Sequence, residues 1–350
     1  MKLKKWGETA GSTALIGGVA FLVGAAFLLI AGVSPLSAFG YILKGALGSP
    51  VKIGYVVQAW IPLAICACGL IYTFRAGLLN IGVEGQMIWG ALCCTAILRR
   101  GTPLDSPILI ISLAFFAASA GGALWALLAG VLKTNGGVNE IFGGLGLNFV
   151  AQGAVLWLIF GPWKRPGIAS MSGTEMFPAQ LWLPTVMSGR ISPVGIALVM
   201  ALFMSTAILL ARTNLGLYLK TVRSNVRAAF LIGLNPDRHI LLAMAVSGGC
   251  AGLAGAVQVS GVYHCLIPSI SGNYGYLALL VVMLAGHRIG AAMLIAFFFA
   301  GLNVGSIQLP LMMHLDSSLS GVLQGALVLS ALAVYSRSPK KTGRSSPWTA

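Results

Sequence analysis

Seven carboxylates are scattered through the 350 residues: Glu8, Glu84, Asp105, Glu140, Glu175, Asp237 and Asp316. No two form the acid–base pair that hydrolytic chemistry needs, and no Ser/His/Asp set or His-x-x-x-His pattern stands out. The sequence also lacks the Gly-x4-Gly-Lys-Ser/Thr form that cradles nucleotide phosphates, so ATP is not bound by that device. Cys66-x-Cys68 and Cys93-Cys94 lack the spacing of a structural zinc site and have no histidine near them. With Cys250 and Cys265 they read as small apolar packing residues. Catalysis, a metal and a bound cofactor are therefore not expected. What remains is polar chemistry in apolar surroundings. Phe74-Arg75-Ala76-Gly77-Leu78-Leu79-Asn80-Ile81-Gly82-Val83-Glu84-Gly85-Gln86, followed by Met87-Ile88-Trp89-Gly90, sets an arginine, an asparagine, a glutamate and a glutamine between two apolar segments. An ionisable group at membrane depth is costly and faces a protein interior or a watery path. The glycines permit an interrupted helix, which a bilayer tolerates where the freed backbone is packed in protein or lines a cavity. The residues by themselves leave two readings open: a polar inter-helix loop with a satisfied carboxylate, or part of a solute path.

The elements that must position these groups are membrane helices. The chain is 57% hydrophobic and 8% charged, with mean hydropathy +0.91, against about 25% charged residues in soluble domains. Its apolar runs are long and unbroken rather than alternating, which favours helices over a β-barrel. The 46 glycines are roughly twice the usual share, as expected where small residues let helices approach closely. A net charge of +15 would point to nucleic acid in a soluble protein. Here the basic residues sit between and beyond apolar runs, as the positive-inside bias produces, and no nucleic-acid partner is expected.

Lys2, Lys4 and Lys5 precede an apolar run from about Gly11 to Val33. It exceeds the roughly 7–15-residue core of a signal peptide and reads as a retained first helix with a cytoplasmic N-terminus. Residues 34–55 read as an extracytoplasmic connection or interfacial helix. Spans follow over about Val56–Tyr72, from the polar stretch to Leu98, over Pro107–Leu132, from Glu140 toward Phe160, and over Ile191–Ala211. Thr134, Asn135 and Asn139 can cap the span that opens at Glu140, whose charge suits the positive end of its dipole. Arg99 and Arg100 run against the positive-inside trend. The seventh span carries Ser247–Ala256, whose Gly248 and Gly252 form a close-packing pair. A polar island with His264, Ser271 and Asn273 precedes Tyr276–Ala285, which is too short to span and reads as broken or re-entrant. His264 reads as a group titrating near neutrality or as an interfacial anchor. Gly290–Ile307 and Leu319–Tyr335 complete the bundle, and residues 336–350 form a basic cytoplasmic tail. Both termini inside require an even count. The expected architecture is a single all-α transmembrane domain over residues 1–350 with ten helices, or eight on the smaller count.

Two connections are long. Residues 161–190, rich in proline and tryptophan, read as an extracytoplasmic loop, either a connector or a docking site for an external partner. Residues 212–238 form the longest basic loop and read as cytoplasmic. Ser224 or Asn225 can cap a short helix over Val226–Ile232, with Gly233 stopping it. Such a helix lies on the membrane surface or packs into a partner's groove.

Several stretches carry a family resemblance. Ala76–Gln86 resembles the Gly…Asn-Ile-Gly-x-Glu-Gly-Gln signature of permease subunits of ABC importers for nucleosides and simple sugars. Gly137-Val138-Asn139-Glu140, with Asn148-Phe149, is similar to that family's Gly-x-Asn-Glu element and its later asparagine and aromatic. Gly143-Gly144 and Gly146 replace the usual Ser/Thr- and Met-containing run. Asn225-Val226-Arg227-Ala228-Ala229 and Gly233-Leu234-Asn235 resemble the family's Asn-Pro-x-Ala-Ala and Gly-Ile-Asn elements. Arg223-Ser224 stands where a Gly-Glu pair is usual, and Val226 replaces the proline. Ser247–Gly255 matches a Ser-Gly-x-x-Ala-Gly-x-Ala-Gly run.

The resemblance covers about residues 56–335 and implies the fold of the branched-chain amino acid, ribose and vitamin B12 permeases. It implies that Asn80, Glu84, Gln86, Asn139, Glu140 and Asn148 shape the substrate pathway or its cytoplasmic gate. It further implies that Arg223, Asn225, Arg227, Ala228, Ala229, Gly233 and Asn235 couple the chain to an ATPase. The implied partners are a separate P-loop ATPase subunit, a second related permease and an extracytoplasmic binding protein. The implied setting is the bacterial cytoplasmic (inner) membrane. Length and the Gly-x-Asn-Glu element look more like the nucleoside-type branch than the ribose-type one. The rivals are a stand-alone ion-coupled carrier or channel and a scaffold without transport. The loop at 212–238 separates them, because a stand-alone carrier has no evident need for it.

Overall fold

Helix starts are written as Ser-Pro and Asn-Pro pairs at the ends of apolar runs: Ser49-Pro50, Ser106-Pro107, Ser192-Pro193 and Asn235-Pro236 each open a helix. Proline has no N–H to leave unpaired in a first turn, and its φ is already helical. A computed structural model of the chain describes residues 34–100, 106–165, 167, 173–186 and 191–307, with a few isolated positions beyond. The expected first span, Gly11–Val33, the last, Leu319–Tyr335, and the 336–350 tail lie almost wholly outside the described residues.

The elements are α1 (Pro35–Leu47), α2 (Pro50–Ala76), α3 (Val83–Arg100), α4 (Pro107–Thr134), α5 (Glu140–Phe160) and α6 (Pro193–Arg212). They continue with α7 (Asn214–Ser224), α8 (Val226–Leu231), α9 (Pro236–Gln258), α10 (Tyr274–Leu284) and α11 (Ile289–Ser306). A π turn over Val259–Tyr263 extends α9, and a 3-10 turn covers Ala179–Leu181. Six helices among the described residues are long and apolar enough to cross a membrane: α2, α4, α5, α6, α9 with its π turn, and α11. Of the two readings of the stretch 34–55, connection or helix, the structure takes the second. The stretch is helical almost throughout, because the Ser49 hydroxyl accepts from the Lys52 N–H at 3.3 Å and starts α2 at Pro50, six residues before Val56.

The chain divides into two compact units, residues 46–301 and the two ends, 1–45 with 302–350. In the smaller unit a Cβ at Gly305 would collide with the Ile42 carbonyl, so these backbones meet directly. In the larger unit, α9 packs against α2, α3 and α4. The contact with α4 needs glycine on both sides. A Cβ on Gly122 would strike the Gly248 carbonyl, and one on Gly252 would strike the Ala118 carbonyl. In lipid such close backbone approach gives dispersion contacts that side-chain burial alone does not supply. Trp89 of α3 stacks on Trp125 of α4, centroids 4.0 Å apart and planes at 15°, beside this seam.

Candidate functional site

The polar stretch folds as a tight turn followed by the first turn of α3. Gly77 ends α2 at φ 84, a left-handed conformation that costs glycine nothing. Three residues later Asn80 is buried and forms a reciprocal amide pair with Gln86. Asn80 Nδ2 donates to Gln86 Oε1 and Gln86 Nε2 donates to Asn80 Oδ1, both at 3.0 Å. Asn80 Nδ2 also donates to Ser247 Oγ on α9 at 3.0 Å. Asn148 of α5 joins the same cluster. Its Oδ1 accepts from the Gly85 N–H at 2.8 Å, and its Nδ2 donates to the Ile81 carbonyl and to Tyr276 Oη, both at 3.0 Å. The Gly85 N–H is one of the donors that the first turn of any helix leaves unpaired.

Glu84 is 4% exposed. Its Oε2 accepts from the Gly275 N–H at 2.9 Å and the Tyr276 N–H at 3.3 Å. Those N–H groups open α10, and the preceding Asn273 is left-handed at φ 60 and makes no side-chain cap. Glu84 therefore caps α10 from another helix, placing negative charge at the positive end of its dipole. An eleven-residue helix beginning inside protein is tolerated because its free donors find this carboxylate.

Of the six residues expected at a pathway or gate, the structure brings four into one cluster: Asn80, Glu84, Gln86 and Asn148. The other two stand apart, at the turn joining α4 to α5. Asn139 is exposed and caps α5, its Oδ1 accepting from the Ile141 N–H at 2.8 Å. Glu140 pairs with Lys133 at 2.5 Å. Along α5 the buried side is Glu140, Gly144, Asn148, Ala151, Val155 and Ile159. The opposite side exposes Phe142, Gly146, Phe149, Gly153 and Trp157.

In the basic segment, Asn225 caps α8, its Oδ1 accepting from the Ala228 N–H at 3.0 Å, and Asn235 caps α9 through the Arg238 N–H at 3.2 Å. Ala229 is buried, Arg227 and Ala228 are exposed, and Gly233 turns the chain at φ 82. Phe230 and Leu231 are 70% and 84% exposed. With Val226, Arg227, Pro236 and Asp237 they line a shallow open cleft. Arg223, at the end of α7, donates from Nη1 to the Phe74 carbonyl at 3.1 Å. The Phe74 ring lies 4.9 Å from that of His287, in the turn between α10 and α11. Burial, then the Arg223 and Arg75 guanidiniums, push His287 down from 6.5 to about 4.

A model of the branched-chain amino acid transport system / permease component family matches residues 53–332. The chain belongs to that family. Among its relatives, the guanosine ABC transporter permease protein NupP of Bacillus subtilis is 26% identical, over 89% of this chain and 90% of its own. The glucose ABC transporter permease protein TsgB13 of Haloferax volcanii is 27% identical, over 89% and 83%. A second Bacillus subtilis guanosine permease protein, NupQ, is 28% identical, over 78% and 87%. The chain is thus a multi-pass membrane protein and the permease of an ABC importer.

The permease also uses residues that sequence reasoning passed over. Ser247 reads as one more small residue in a glycine-rich run but holds Asn80, and Tyr276 reads as the start of an apolar piece but holds Asn148. At the far end of α9, the connection over 173–183 is tied to the segment after the π turn. Thr174 N donates to the Leu266 carbonyl and Phe177 N to the His264 carbonyl, both at 2.9 Å. Trp182 stacks on His264 at 3.9 Å. The available signal was the polar island itself. Its partners lie some ninety residues away in sequence, beyond any local pattern.

Proposed function

We propose that this permease imports a nucleoside or a simple, ribose- or galactose-like sugar across the bacterial cytoplasmic membrane. In this reading it works with a separate P-loop ATPase, a second related permease and an external binding protein. The six spanning helices, α3, α10 and the apolar runs Gly11–Val33 and Leu319–Tyr335 make ten, with both termini and the basic segment in the cytoplasm. The relatives named for guanosine and glucose support the substrate class. Two similar guanosine permease proteins in one organism support a paired permease. The aromatic–glycine face of α5 is the surface offered to that second permease, with the solute path between the two.

The observation that carries the coupling role is α8. Val226, Phe230 and Leu231 stand exposed on α8, with Ile232 exposed just past its end, between Asn225 and Gly233, which fix the two ends. Apolar groups held rigidly in the open suit insertion into a partner's groove. ATP-driven closure of the ATPase pair would press on α8 and tip the permeases between outward- and inward-open forms. The cluster of Asn80, Glu84, Gln86 and Asn148, with Asn139 and Glu140 at the neighbouring turn, forms the base of the cytoplasmic gate.

The test is gentle purification of the tagged permease from its own host, followed by uptake in liposomes with nucleosides tried before sugars. A stoichiometric P-loop ATPase and ATP-dependent uptake are expected, with uptake lost in an Arg227→Glu, Ala228→Trp variant. A partner-free permease that moves solute without ATP would instead identify a stand-alone ion-coupled carrier or channel.

A further inference from the structure

The turn at the end of α2 joins three parts of the molecule that are distant in sequence. The Phe74 carbonyl accepts from the Gly77 N–H at 3.2 Å and from the Arg223 guanidinium at 3.1 Å. A cation at a helix C-terminus meets the negative end of its dipole, which strengthens this bond. The stem of Arg223 lies directly on the turn, since a Cβ built on Gly77 would sit 3.0 Å from Arg223 Cγ. On the other side of Phe74, its ring packs against His287, just beyond the end of α10.

The opposite end of α10 is held by Glu84 in the first turn of α3. Helix α3 follows α2 through residues 77–82 alone, and the Asn80–Gln86 pair stiffens that link. The α2–α3 hairpin therefore grips α10 at both ends, and Arg223 bears on the hairpin at its turn. Arg223 is two residues from Asn225, the cap of α8, so displacement of α8 reaches it with little slack.

We propose that Arg223 is the positioning residue that transmits movement of α8 to α10, acting through the last turn of α2. This rests on the coupling role proposed for α8.

The experiment compares ATP hydrolysis and solute uptake by the assembled transporter in liposomes for wild type, R223M and R223K. R223M keeps the stem over Gly77 and loses the donor. Its hydrolysis is expected to stay within about twofold of wild type while uptake per ATP falls about tenfold, the scale of one charged hydrogen bond. R223K keeps a cation in reach and is expected to recover uptake per ATP to within about threefold of wild type, and it serves if R223M does not assemble. Wild-type uptake per ATP in R223M, or hydrolysis and uptake falling together, would overturn the proposal. A wild-type complex that transports without ATP would remove the α8 coupling role itself, and the proposal with it.

Discussion

Glu84 shows how one side chain makes an otherwise untenable arrangement stable. Helix α10 starts within the protein with a left-handed Asn273 and no cap of its own. The Glu84 carboxylate supplies both missing acceptors. Glu84→Ala would leave the Gly275 and Tyr276 N–H groups buried and unpaired, at a cost of about 1–3 kcal/mol. Glu84→Gln keeps one acceptor oxygen and should lose less. Thermal unfolding in detergent should rank wild type above E84Q and E84Q above E84A, and equal midpoints would show that other groups cap α10. His287 gives a pH signature at the same scale. Its folded-state value, near 4, lies below the ordinary 6.5, so the folded protein resists a proton that the unfolded chain accepts. Stability is then undiminished above about pH 6.5 and falls as the pH drops from there toward 4. Arg223 and Arg75 add to burial in this effect. The loss of midpoint between about pH 7.5 and about pH 5, which brackets the ordinary histidine value, should be smaller in H287Q than in wild type.

Between elements, the decisive seam is α4 against α9. Gly122, Gly248 and Gly252 leave no room for a Cβ on either side. Gly252→Val must push the helices apart or break the α9 contacts with α2 and α3. Overpacking of this kind costs about 1–3 kcal/mol or more. Gly153, on the exposed side of α5 with open space around it, provides the comparison. Measured on the isolated permease, the midpoint of G252V should fall well below that of G153V. Similar midpoints would mean that the seam yields more easily than its geometry implies.

For the whole molecule, the proposed orientation can be checked with a native thiol. Helix α9 and its π turn run over 28 residues from the basic segment to the His264–Cys265 end. At about 1.5 Å per residue that length crosses the roughly 30 Å hydrocarbon core. Cys265 and Cys93 are partly exposed, and Cys66, Cys68, Cys94 and Cys250 are buried; Cys93 lies mid-way along α3, within the proposed span and out of reach of an impermeant reagent. A membrane-impermeant maleimide added to cells whose outer surface is accessible should label wild type and not C265S. Labelling confined to inverted vesicles would reverse the orientation.

Much of this permease is legible in its sequence. Composition requires a membrane protein, because so few charged residues cannot clothe a soluble surface of this size, and the long unbroken apolar runs make it helical. Caps written as Ser-Pro, Asn-Pro and Asn225 place helix starts, since they act on backbone within a few residues. The identity of the polar residues was legible too, as residues that lipid would not tolerate without partners. Which partners they find was not. Asn80 meets Ser247, Glu84 meets the start of α10 and Arg223 meets Phe74 across separations of 149 to 192 residues. The local role of Asn139 was legible, since it caps α5 two residues away, whereas the pairing of Glu140 with Lys133 across the α4–α5 turn was not. A hydrogen bond depends on distance and direction in space. Local sequence determines which groups need a partner, and only the packing of α2, α3, α5, α9 and α10 decides which one each receives.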